Sequence, residues 1–294
     1  MQGTIAQIIV LTTHGNAFLR GSPRFDLSDF YPSHSTFKFC EYVRFADLKP
    51  KGEGWEQFPY ASDPKEWLTR LQREGVRRLR MIYASSASEQ DAGTTSSDRM
   101  LVGFVGGGGR WVIEAMKASG SDYWEGSWDT GDQERADQKI WQVTYGRIAS
   151  DQPAAEGPDL DPAALRNRLA ENLQAIGDFA RKHKLDNFAR AFDGGLAQLN
   201  SNSPYESDFA PDGALPLPAA QLLGAVQTAW VFGGMGSWND IGFDGEDQVV
   251  YDRLSEELYQ LLNAAMVAAA NSNHTINPPQ SPKAKSRPWW KIWD

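Results

Sequence analysis

The chain has 294 residues, of which 41% are hydrophobic and 23% charged, so it has enough apolar material for a folded core and is not a disordered polymer. The formal net charge is −9; the residues from Thr275 onward hold four basic side chains against one acidic, net +3, which leaves −12 for the rest. A body of that charge disfavours nucleic acid as a partner. The single cysteine, Cys40, excludes an intrachain disulfide framework and any metal site built from several cysteines.

The chain begins with an apolar run in residues 1–11 that lacks a basic leader. This run is too short for a membrane span, and the alanine-rich stretch near residue 265 is interrupted by Gln260 and Asn263. We therefore expect a soluble, cytoplasmic protein. The run itself predicts the first strand of a sheet.

Residues 1–149 carry the period-two pattern of β-strands. In residues 36–45, Phe37, Val43 and Phe45 share one face while Lys38 and Arg44 share the other. Further strands are predicted in residues 76–84, 100–105, 110–116 and 139–148. One helix interrupts them, with Asp63 as its N-cap and Pro64 in its first turn.

The period changes after a loop rich in proline and acidic residues, 150–160. Asp161 and Pro162 open a helix with leucines spaced by three and four, and three more helices are predicted, the last two starting near Pro218 and Glu246. The sequence therefore predicts an α+β fold. Its parts are a largely antiparallel β-sheet with one helix (1–149), a linker (150–160), a four-helix part (161–270) and a basic linker with an aromatic tail (271–294).

The segment between the last two helices has the composition of a binding loop. Its glycines permit close backbone approach, while the tryptophan offers a stacking face and the asparagine and aspartate offer polar groups. The candidate binding residues are Gly233, Gly234, Met235, Gly236, Trp238, Asn239 and Asp240. A tight corner between two helices explains the same residues equally well, and the acids that follow, such as Asp244 and Asp247, fit the first turn of a helix.

Known ligand motifs do not match this segment. A phosphate-binding loop needs lysine followed by serine or threonine after its last glycine, but Ser237 and Trp238 follow here, and an EF-hand placed on Gly245 lacks two of its ligands. The second glycine run, 106–109, precedes an alternating segment and predicts a hairpin turn. We predict no cofactor and no metal site.

The one candidate for acid–base chemistry is His14, which would follow the first strand. An enzyme for a small polar substrate would use His14 as its base, assisted by Asp240 or Asp244. A structural, hydrogen-bonded histidine is the alternative interpretation.

The chain ends in a tryptophan-rich segment whose apolar residues are Trp289, Trp290, Ile292 and Trp293. Three interpretations are open: weak peripheral contact with a membrane, docking into a partner, or folding back on the acidic body. Docking is favoured, because tryptophan is a typical anchor of protein interfaces.

Together these features favour a non-catalytic protein that binds another protein. Its acidic charge suits a basic partner, and the role is that of an adaptor or of an immunity-like inhibitor that masks its target. The enzyme built on His14 is the alternative function.

Overall fold

The computed structural model describes residues 1, 3–22, 25–52, 54–85, 98–103, 107–156, 160–204 and 209–272. These residues form a mixed α+β fold. The helices are α1 (Gly3–Leu19), α2 (Leu27–Phe30), α3 (Pro64–Arg73), α4 (Asp98–Leu101), α5 (Pro162–Lys182), α6 (Asp186–Leu199), α7 (Leu217–Ala229) and α8 (Gly245–Asn271). The strands are β1 (Cys40–Lys51), β2 (Gly54–Ala61), β3 (Arg78–Ala84), β4 (Arg110–Met116), β5 (Ser121–Thr130) and β6 (Trp141–Gln152). No helix in these ranges is long and apolar enough to cross a membrane.

The described residues divide into two compact units. The helical unit comprises Met1–Ile9, Tyr83–Arg110 and Leu160–Ser272, and the sheet unit comprises Val10–Ile82 and Trp111–Asp159. The division therefore falls within α1 and near the ends of β3 and β4.

The six strands form one mixed sheet in the order β2-β1-β6-β5-β4-β3. The pairs β1–β2, β4–β5 and β5–β6 are antiparallel, whereas β1 and β6 are parallel. Helix α3 covers one face of this sheet, where Trp67 stacks on Phe45 with ring centroids 4.4 Å apart and Trp124 meets both rings edge-on. The N-cap predicted for α3 is confirmed, since the Asp63 carboxylate accepts a hydrogen bond from the Glu66 N–H at 2.9 Å.

The strand predicted for residues 1–11 is wrong, because these residues begin the helix α1. Most residues of α1 are buried, and consecutive ones such as Ile9, Val10 and Leu11 are all fully buried. A helix without an exposed face does not need the alternation of polar and apolar residues by which helices are predicted. Its many β-branched residues also favour a strand by propensity. Long-range contacts override that preference: Asn16, fully buried in α1, donates to the Leu79 carbonyl at 2.9 Å and accepts from the Leu79 N–H at 2.8 Å.

The strand predicted for residues 100–105 is also wrong where it is described, because residues 98–101 form α4. The described part of residues 100–105 therefore contains no strand that could pair with β4 in the predicted hairpin. Two strands were not predicted. β2 is an edge strand exposed on both faces through Pro59, and β5 buries four successive residues, 121–124, so neither alternates between polar and apolar positions. The first half also contains α1, α2 and α4 besides the predicted helix α3.

The four predicted C-terminal helices are confirmed as α5 to α8. Asp161 caps α5 by accepting from the Ala163 N–H at 3.0 Å, and Pro162 lies in its first turn, as predicted. The glycine pair within α6 has a packing role, because a Cβ on Gly195 would lie only 2.8 Å from the Ala229 side chain of α7. The pair thus lets the two helices approach closely.

Glu114 on β4 is a fully buried carboxylate that binds the chain segment just after β6. It pairs with Arg80 at 2.7 Å, accepts from the Ala155 N–H at 3.1 Å and lies 3.2 Å from the Tyr123 hydroxyl oxygen. Arg80 also donates to the Ala155 carbonyl, and Tyr123 donates to the Pro153 carbonyl at 2.7 Å. The first part of the predicted linker therefore belongs to the folded sheet unit.

Candidate functional site

The predicted binding loop connects α7 to α8 in the helical unit and has a fixed backbone. The Trp238 N–H donates to the Val231 carbonyl at 3.0 Å, which closes the base of the loop. Gly233, Gly234 and Gly236 have φ values of 85°, 85° and 75°, a left-handed conformation that favours glycine. The loop is therefore a tight corner whose tip is the side chain of Met235, which is fully exposed.

Trp238 anchors the loop to the core of the helical unit, and its side chain is 0% exposed. The indole N–H donates to the Ser255 hydroxyl of α8 at 2.7 Å. Phe188 and Phe192 of α6 meet the indole edge-on, at centroid distances of 5.1 and 5.2 Å, and the Tyr251 hydroxyl donates to the Trp238 carbonyl. The indole thus offers no stacking face to a ligand in solution.

Asn239 and Asp240 hold the chain next to the loop. The Asn239 side chain donates to the Arg99 carbonyl at 2.7 Å and accepts from the Arg99 guanidinium at 2.9 Å. The exposed Asp240 carboxylate accepts from the Ser237 N–H at 3.0 Å and caps the short 3₁₀ turn Trp238–Asp240. Both side chains therefore fix the loop to its surroundings, and Asn239 ties it to α4.

Arg99 joins these elements, and no sequence pattern predicts this role. Its side chain is only 7% exposed, and it reaches α8, where Asp252 lies 3.4 Å and Glu256 3.5 Å from its nitrogen atoms. The guanidinium also lies over the Tyr251 ring, 5.7 Å from its centroid. A buried cation shared by an amide and two carboxylates locks α4, the loop and α8 together.

The two turns that flank this cation are in direct contact. A Cβ on Gly103, just after α4, would lie 3.3 Å from the backbone nitrogen of Gly234. Each of these two segments exposes apolar side chains: Met100 and Leu101 on α4, and Met235 on the loop. On α8, Val249 is 69% exposed and precedes Asp252 and Glu256 by three and seven residues, which places all three on one helix face.

We call this patch the Met235 surface and define it by Met100, Leu101, Met235, Val249, Asp252 and Glu256. Of these, only Met235 was predicted as a site residue. A signal for Val249 existed, since it falls outside the apolar stripe of α8 that begins at Val250 and continues through Leu254. The contribution of α4 has no such signal, because the sequence around Met100 predicts a strand.

The acids that follow the loop serve the start of α8. Asp244 is its N-cap residue, and Glu246 and Asp247 lie in its first turn. Asp247 pairs with Lys182 of α5 at 2.7 Å, and this hydrogen bond lowers the pKa of the carboxyl. Negative charge in the first turn stabilises a helix, because the N-terminal end of the helix dipole is positive. The same residues add negative charge near the predicted site.

His14 is in the middle of helix α1, not at the end of a strand. It is buried in the sheet unit, where its ring stacks on Phe30 at a centroid distance of 4.8 Å and its Nδ1 lies 3.1 Å from the Val10 carbonyl. Burial, and then the charge of nearby His34, lower its pKa to about 3. An imidazole this hard to protonate has the character of a core residue, and Asp240 and Asp244 belong to the other unit.

This burial predicts an acid-dependent loss of stability. The unfolded chain protonates His14 below about pH 6.5 while the folded chain resists protonation down to about pH 3, so stability should fall as pH decreases through that window, by about 1.4 kcal/mol per pH unit. His14→Phe, which keeps a ring against Phe30, should make this slope shallower by roughly that amount. Urea unfolding of both chains between pH 6.5 and pH 4 measures it, and equal slopes would contradict it.

An open cavity of about 410 Å³ lies at the turn between α5 and α6 and is lined by residues 184–188 and Arg190. It contains none of the predicted site residues. Within the ranges that the structure describes, no group of three or more histidine, cysteine or acidic side chains is arranged to hold a metal ion.

No known protein family, curated protein or solved structure matches this chain.

The tail residues Trp289, Trp290, Ile292 and Trp293 lie outside the described residues.

Proposed function

We propose that this protein binds a basic segment of a partner protein, one that carries apolar anchors, on the Met235 surface. It would act as an adaptor or as an inhibitor that masks its partner. The observation that carries the proposal is a fully exposed methionine at the tip of a loop whose base is fixed by a buried tryptophan. Binding residues commonly lie on loops held by a rigid scaffold.

The apolar chemistry of the surface suits a protein segment. Methionine is flexible and polarizable, so Met100 and Met235 can adjust to partner side chains of different shape. Leu101 and Val249 extend the patch over α4 and α8. Because the loop and α4 are already fixed through Arg99, little conformational entropy is lost when a partner binds.

The charges around the patch select a basic partner. Asp252 and Glu256 keep 54% and 41% of their side-chain area exposed although each contacts Arg99. Three further exposed acidic residues, Asp240, Asp244 and Glu246, lie between Met235 and Val249 in the chain. With the net charge of −9, these acids would attract a cationic segment and accelerate its association.

An enzyme with His14 as its base has less support. The low pKa of His14 follows from its burial among aromatic rings, and its Nδ1 lies within hydrogen-bonding distance of the Thr13 hydroxyl and the Val10 carbonyl of its own helix.

Binding of a synthetic amphipathic peptide of lysine, leucine and tryptophan tests the proposal. The double variant Met235→Ser with Val249→Ser should bind this peptide at least about tenfold more weakly than the unchanged full chain, since burial of one such side chain contributes about 1.5–3 kcal/mol. Fluorescence anisotropy of the labelled peptide provides the Kd.

Leu217→Ser is the matched control, because Leu217 is also an exposed apolar residue of the helical unit but lies at the start of α7. Its Kd should not change. An acidic peptide of the same length should not bind. If the double variant and the control bind the basic peptide equally well, the Met235 surface is not the binding site.

A further inference from the structure

The chain itself contains a segment with the chemistry that the Met235 surface selects. Residues 283–293 combine Lys283, Lys285, Arg287 and Lys291 with three tryptophans and an isoleucine. We infer that this C-terminal tail occupies the Met235 surface of its own chain and that a partner must displace it. The inference rests on the proposed function, because it assigns the same surface an intramolecular occupant.

Charge complementarity supports this occupant. The residues from Thr275 onward carry +3, whereas the rest of the chain carries −12. In the tail, Lys291 lies between Trp290 and Ile292. On α8, the partly exposed carboxylates of Asp252 and Glu256 share a helix face with the exposed Val249. The cations of the tail can therefore pair with these carboxylates while its tryptophans contact the apolar side chains of the Met235 surface.

The length of the tail permits the contact. Helix α8 has 27 residues and is about 40 Å long, and its last residue, Asn271, lies about 22 Å along the helix axis from Glu256 and about 33 Å from Val249. An extended chain from Asn273 to Trp289 spans up to about 55 Å. The tryptophans can thus return along α8 to the Met235 surface with chain to spare.

Tethering makes such an occupant effective even when its intrinsic affinity is low. Covalent attachment by a short connection gives the tail an effective concentration on the order of 1 mM at the surface. A tail that binds with a Kd of roughly 0.1 mM would then weaken the apparent affinity for an external peptide by about tenfold. Only a partner whose affinity is high enough to compete with the tail would then bind.

The first test compares peptide binding to three full-length chains: the unchanged chain, a tail variant and a control variant. Trp289→Ser, Trp290→Ser and Trp293→Ser together should tighten binding of the basic amphipathic peptide by about tenfold. The control pair Asn277→Ser and Gln280→Ser alters the tail without changing its charge or its tryptophans and should leave the Kd unchanged. Equal affinity in all three chains would overturn the inference but leave the proposed function intact.

If the peptide binds neither the unchanged chain nor the chain without tail tryptophans, the proposed function fails instead.

A second test locates the tail directly. A carbodiimide joins amines to carboxylates that are in contact, so in dilute full-length protein it should link Lys283, Lys285 or Lys291 to Asp252 or Glu256 within the monomer, as identified by mass spectrometry. The three tail substitutions should remove most of these links. Links found only in a dimer band would assign the surface to a second copy of the chain, and links only to other carboxylates would exclude the Met235 surface; either result overturns the inference.

Discussion

Replacing Trp238 with alanine should lower the free energy of unfolding by about 3–5 kcal/mol, one of the two largest effects expected in this protein. The substitution empties a fully buried volume between Phe188, Phe192 and Tyr251. It also leaves the Ser255 hydroxyl without its indole donor. Urea unfolding monitored by circular dichroism measures the change.

Trp238→Phe separates the two contributions. Phenylalanine retains an aromatic ring but lacks the N–H, so it should cost less, about 1–3 kcal/mol. Met235→Ala at the tip of the same loop is the control and should change stability by less than about 0.5 kcal/mol, because Met235 is fully exposed. A loss below 1 kcal/mol for Trp238→Ala would show that the indole does not anchor the loop.

The second large effect is expected at Glu114. Glu114→Ala should lower the free energy of unfolding by about 3–5 kcal/mol, because Arg80 loses its buried counter-charge and the Ala155 N–H loses its acceptor. Arg78 adds to the cost: burial and the nearby Arg80 lower the pKa of Arg78, whereas the charge of Glu114 raises it. Without Glu114 the repulsion between the two guanidinium groups is no longer offset.

A surface ion pair supplies the comparison. Glu56 pairs with Lys51 at 2.7 Å, but both side chains are exposed, so Glu56→Ala should change stability by no more than about 1 kcal/mol. Combining Glu114→Ala with Arg80→Leu should recover part of the loss, since it removes the unpaired charge. If Glu114→Ala and Glu56→Ala destabilise the protein equally, the buried contacts of Glu114 contribute no more to stability than a surface ion pair.

The parts of the fold that the sequence predicted are those determined by local chemistry. Asp63 with Pro64 and Asp161 with Pro162 mark helix starts because a cap depends on atoms only two or three residues away. The errors arise where distant contacts decide. Helix α1 is buried on every side, so its polarity pattern could not distinguish a helix from a strand.

The candidate site shows the same limit. The glycines of the loop between α7 and α8 indicated a tight turn, and the structure places a tight turn there. The sequence also suggested a stacking role for Trp238, yet its environment is set by α6, about fifty residues earlier in the chain. The role of Arg99 could not be predicted for the same reason, because its partners Asn239 and Asp252 lie more than a hundred residues away in the chain.

The left-handed backbone of the Met235 loop also constrains how this sequence can drift. Any other residue at Gly233, Gly234 or Gly236 would cost about 1–2 kcal/mol, even though open space surrounds the last two. Met235 between them is under no such conformational restriction. Natural variants of the chain should therefore keep the three glycines for the sake of the backbone, while selection at Met235 acts only on what the side chain touches.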